Sequence, residues 1–133
     1  MIRNSHFREN MGAIAFDLDG TISRYPEFFS KLSHLWDDDV YVITVRSDME
    51  TCIDDCRRYN IKYKEIILAS SENDNKAKII ERLGIEVFFD DMPEFARQTK
   101  ENVATFLVRN EENFDFETKQ FLFTKYTGRE HEY

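Results

Sequence analysis

Basic side chains are in deficit: 18 Lys and Arg face 26 Asp and Glu, for a formal charge of −8. That balance disfavours tracking along a long nucleic-acid backbone, which requires many phosphates to be neutralised. No apolar run approaches the ~20 residues of a membrane-spanning helix, and the polar residues 1–11 hold no apolar stretch of a secretory signal. The expected setting is cytoplasmic, without membrane contact. Cysteine is confined to Cys52 and Cys56, on one predicted helix and with no His or further Cys nearby to complete a zinc site. The pair reads as two small residues on a buried face, in keeping with a reducing compartment. Repeats, low-complexity tracts and linkers are also missing, so the 133 residues read as one domain. Against these absences stand twelve Phe and six Tyr, enough for an aromatic-rich core.

Apolar periodicity switches repeatedly between strand and helix. The run 13–16 is a buried strand, and Pro26 opens a helix to about residue 36 with Phe28, Phe29, Leu32 and Leu35 as its apolar stripe. A β-branched strand follows at 40–45. Ser47 and Glu50 form a capping box for the next helix, which buries Met49, Cys52, Ile53 and Cys56. A strand at 65–69, a helix at 75–83 stopped by Gly84, a strand at 86–89, a helix from Pro93 to about 100 and a strand at 103–108 complete the pattern. Such alternation predicts an α/β fold of three layers, Rossmann-like, with a mainly parallel five-stranded sheet. The core spans about 13–108. In the extension 109–133, Asn113 to Phe116 and Phe121 to Phe123 suggest a short helix or edge strand over the core, and 129–133 read as a disordered end.

Parallel sheets bind ligands at the carboxyl ends of their strands, so the residues found there carry the functional signal. The first strand ends in Asp17 and Asp19, which leave the chain on one side, and Gly20 permits a tight turn. The second ends in Thr44, followed by Arg46; the third in Ser70 and Ser71, before a helix carrying Lys76 and Lys78; the fourth in Asp90 and Asp91. Lys76 shares a helix face with Ile79, Ile80 and Leu83 and so points to the sheet, whereas Lys78 lies with Glu81 and Arg82 on the wet face. The spacing does not suit an EF-hand loop, because Gly20 falls too early. His6, His34 and His131 lie outside the cluster, His34 as a structural residue.

This set suits phosphoryl transfer through an aspartyl phosphate. Asp17 would attack phosphorus, and Asp19 would act as acid and then base. Repulsion between unit charges ~4 Å apart costs about 4 kcal/mol at an effective dielectric near 20, so cations must offset it. Mg2+ held by Asp17, Asp90 and the main-chain carbonyl of Asp19, together with the Lys76 ammonium, would do so. Thr44 and the turn amides around Leu18 would bind phosphate oxygens. Thr21 and Asp91 would support the metal ligands from behind. Arg46 is a candidate substrate contact, or else pairs with Asp48 or Glu50.

In their order and strand placement, Asp17-Leu18-Asp19-Gly20-Thr21, Thr44, Lys76 and Phe88-Phe89-Asp90-Asp91 resemble the four motifs of the haloacid dehalogenase superfamily. The resemblance covers about 13–108 and implies a single hydrolase domain over 1–133, with Mg2+ as cofactor, Asp17 as nucleophile and Asp19 as acid/base. The second acid of the first motif resembles the family's phosphatases rather than its dehalogenases. Asn75-Lys76-Ala77 and Asp90 to Glu94 are similar to its small nucleotidase-like branch. Only 24 residues separate Asp19 from Thr44 and 31 separate Thr44 from Lys76, which leaves no room for a cap domain. The implied protein is a capless phosphatase with an open site. It would act on a phosphorylated small molecule or a bulky phosphoester, or gain cover from a second subunit of a homo-oligomer. The alternatives are a phosphate- and Mg2+-binding or receiver-like regulatory domain without turnover, and a polynucleotide 3′-phosphatase. Strand order argues against a receiver, whose phosphorylated Asp would end the third strand.

Overall fold

The strand that leads into Asp17 lies at the middle of the sheet. A computed structural model of the chain describes residues 12–70 and 75–122. It consists of β1 (Ala13–Phe16), α1 (Pro26–Leu35), β2 (Val40–Thr44), α2 (Met49–Arg58), β3 (Glu65–Leu68), α3 (Lys76–Leu83), β4 (Ile85–Asp90), α4 (Pro93–Ala96) and β5 (Ala104–Leu107), followed by β6 (Phe114–Asp115) and β7 (Gln120–Phe121). The first five strands are parallel, in the order β3-β2-β1-β4-β5. This is the three-layer Rossmann-like fold that the alternation predicts, and no cap domain interrupts the described residues. His6, Ser71, Phe123, His131 and the segments 1–11 and 129–133 lie outside those residues.

Period-two alternation divides the core between the two faces of the sheet. Ile14, Phe16, Val40, Val42 and Ile66 meet Phe29 of α1 and Cys52 and Cys56 of α2. Ala15, Tyr41, Ile43 and Phe88 meet Ile79 and Ile80 of α3 on the other side. The cysteines are free and buried, as their spacing on a core-facing helix implies.

Several local expectations are corrected. In α1 the inward stripe is Phe29, Leu32, Ser33 and Trp36, while Phe28 is 53% and Leu35 81% exposed. Ser33 is tolerated there because its hydroxyl donates to the Ser30 carbonyl at 2.8 Å and accepts the Lys62 amide at 3.0 Å. Counting apolar residues alone shifts the stripe by one position. The cap of α2 is Asp48, not Ser47. Its carboxylate accepts the Glu50 amide at 3.0 Å and adds a charge favourable to the helix N-terminus. Helix α4 stops at Ala96, whose carbonyl is taken by the Thr99 hydroxyl at 3.0 Å. Strand β4 begins one residue early, with a register shift against β1 between Ala13 and Ile14. Beyond β5, β6 and β7 pair antiparallel only with each other, as a hairpin and not a helix or an edge strand of the main sheet.

Candidate functional site

From β1 the chain crosses to β2 on one side, and from β4 it crosses to β5 on the other, so the carboxyl ends of β1 and β4 flank the point where the sheet order reverses. The Asp17 amide donates to the Phe89 carbonyl at 2.9 Å and extends the pairing to the first acid. A wide turn over Leu18–Ile22 follows, in which the Ser23 amide bonds the Leu18 carbonyl at 3.0 Å. Gly20 takes φ of +80° within it. A Cβ there would run into the Asp91 carboxylate and the Asn110 amide.

Lys76 reaches this point from the first turn of α3. It is 1% exposed, and its Nζ lies 2.7 Å from Asp17 Oδ1 and 2.7 Å from Asp90 Oδ2. The Phe95 ring lies 4.8 Å from the same ammonium. Burial pushes the Asp17 carboxyl well up, with Lys76 pulling part of the way back, and Asp90 is raised for the same reason. Burial lowers the Lys76 ammonium, but the two carboxylates outweigh it and leave it raised. Asp90 Oδ1 also accepts the Met92 amide at 2.9 Å.

Asp91 is buried beside this triad, and carboxylate oxygens of Asp17, Asp90 and Asp91 lie within 4.8 Å of one another. One ammonium among three acids leaves an excess of negative charge. The donors are all hard oxygens, the type that suits Mg2+. Thr21 Oγ1 stands 3.4 Å from Asp17 Oδ2 and 3.5 Å from Asp91 Oδ1, a distant support for both.

The structure thus gathers Asp17, Asp90, Asp91, Lys76 and Thr21. Asp19 and Arg46 form a separate unit at the rim. Arg46 binds Asp19 in fork geometry at 2.8 and 2.7 Å and reaches Asp55 at 2.8 Å, instead of pairing with Asp48 or Glu50. The Arg46 guanidinium holds the Asp19 carboxyl below its usual range. Thr44 is buried, and its Oγ1 accepts the Arg46 amide at 3.2 Å; the Leu18 side chain is wholly buried. A cavity of about 600 Å³ opens over the cluster, with Asp17, Asp19, Lys76 and Asp91 in its lining together with Arg24, Asn110 and Asn113. Neither Thr44 nor Arg46 is among its described lining residues.

Sequence reasoning missed Asn110, Asn113, Asp55 and Phe95. The two asparagines follow the end of β5. The strand-end test that found the acids would have reached them had it been carried to the fifth strand.

No family model matches the chain, and no curated protein does. Among solved structures, a universal stress protein in complex with cAMP has the same fold, with a TM-score of 0.53 and 10% sequence identity. The likeness covers 76% of this chain and 98% of that one. It is a likeness of fold. With a universal stress protein as a structural neighbour and no family match, the haloacid dehalogenase assignment is withdrawn. The phosphatase activity, the hydrolase class, the aspartyl-phosphate intermediate and the 3′-phosphatase alternative, read from the residue set as well as from the resemblance, are withdrawn with it. No helix among the described residues is long and apolar enough to cross a membrane.

Proposed function

We propose that the carboxyl edge of the sheet binds a phosphorylated small molecule of the nucleotide class, with a divalent cation, as a regulatory module that holds its ligand intact. The observation that carries this reading is the buried Lys76, set among three buried acids at the switch point and facing a ligand-sized cavity. In this reading Asp17, Asp90 and Asp91 hold Mg2+, with the Asp19 carbonyl as a further oxygen. The cation supplies the positive charge that an anionic ligand needs in an acidic pocket. Lys76 and the turn amides after Asp17 face the phosphate. Val45, Met92, Pro93 and Leu122 in the cavity wall offer apolar surface to a base. Support for the nucleotide class comes from the universal stress protein of this fold, which is in complex with cAMP. A cytoplasmic setting, rich in nucleotides and Mg2+, fits the same reading.

Calorimetric titration with cAMP, AMP and ATP in Mg2+ or EDTA tests it. Binding is expected in Mg2+ only and is expected to be lost in Asp17→Asn, with the nucleotide recovered unchanged by phosphorus NMR. Equal binding in EDTA, no binding of any of the three, or release of inorganic phosphate overturns the reading.

A further inference from the structure

Asn110 and Asn113 are buried on the loop that joins β5 to β6, and both line the cavity. Asn110 Nδ2 donates to Asp91 Oδ2 at 3.0 Å and to the Gly20 carbonyl at 2.9 Å. Its own Oδ1 accepts the Glu112 amide at 2.8 Å, and its main-chain amide donates to Asn113 Oδ1 at 2.9 Å. Asn113 Nδ2 grips main chain only, the carbonyls of Asp91 at 2.7 Å and Val108 at 2.8 Å. A single amide group therefore joins the turn after β1 to the carboxylate after β4, two segments some seventy residues apart in the chain. Arg24 and Tyr25 tie the same loop from outside, through Glu111 at 3.0 Å and the Arg109 carbonyl at 3.1 Å.

We propose that Asn110 is a positioning residue for the ligand of this cavity: it sets the spacing between the Gly20 turn and Asp91, and so the width of the pocket above Asp17 and Lys76. This role rests on the nucleotide-binding reading and gives the segment after β5 a part in it. The chemistry requires a neutral donor. An amide satisfies the buried Asp91 carboxylate without adding a positive charge that would compete with Lys76, and it has two N–H groups, one for each wall. Without it, the Asp91 carboxylate loses a 3.0 Å donor and the Gly20 turn loses its tie to Asp91.

The test compares AMP binding in Mg2+ by calorimetry with thermal unfolding for the full chain and for Asn110→Ala, Asn110→Ser and Tyr25→Phe. Losing a hydrogen bond to a charged group is expected to weaken AMP about tenfold in Asn110→Ala. Asn110→Ser, whose hydroxyl can serve one wall only, is expected to fall between, and it carries the comparison if the alanine variant does not fold. Tyr25→Phe loosens the same loop from outside, by removing the bond to the Arg109 carbonyl, at a residue that does not line the cavity. It is expected to lower the melting temperature while keeping near wild-type affinity. Wild-type affinity in both Asn110 variants, or affinity losses that track melting temperature equally at positions 110 and 25, overturn the role alone. A wild-type protein that binds no AMP overturns the role together with the reading beneath it.

Discussion

Lys76 is a full charge out of contact with water, and it persists there because two carboxylates face it at 2.7 Å. The acids pay for the arrangement in their protonation. Burial raises Asp17 and Asp90, so in the cation-free protein both bind protons more tightly folded than unfolded. Their contribution to stability is fully present below the usual carboxyl value of 3.8 and is lost as pH rises through the raised folded values. Unfolding free energy is therefore expected to fall as pH climbs toward neutrality in EDTA, and Mg2+ should flatten the slope by replacing the protons. Asp19 acts oppositely: Arg46 lowers it, so its share is present above 3.8 and disappears as pH drops further. Urea unfolding across this range, set against Asp90→Asn, checks the assignment. A variant with the wild-type slope would refute it.

At the scale of an element, α1 and α2 show how far a local pattern reaches. Their existence follows from periodicity and from Pro26, but the face of α1 turned to the sheet depends on Ser33, a residue that periodicity counts as polar. Phe29→Ala is expected to cost about 3–5 kcal/mol, whereas Leu35→Ala should stay within about 0.5 kcal/mol. The same logic separates the two cap candidates of α2. Asp48→Ala should lose about 1 kcal/mol, and Ser47→Ala should change little. Chemical denaturation of the four variants measures both contrasts, and a reversed order at either pair would contradict the packing described.

For the whole molecule, β1 is hydrogen-bonded on both sides by β2 and β4, whereas β5 is an edge and β6–β7 a two-residue hairpin. Hydrogen exchange should accordingly be slowest in β1, β2 and β4 and fastest in the hairpin; protection of β6–β7 matching that of β1 would be inconsistent with this sheet order. The sequence by itself determined the alternation of strands and helices, and the acids, hydroxyl and amine waiting at successive strand ends, because these are carried by residues within a few positions of one another. Tertiary structure alone decided which of them meet. Lys76 finds Asp17 across 59 residues and Asn110 finds Gly20 across 90, while Arg46 turns to Asp19 and Asp55 and passes over the nearer Asp48 and Glu50. Side-chain period records only which way a residue faces; its partner is set by the order in which strands lie side by side, and that order is a property of the closed sheet.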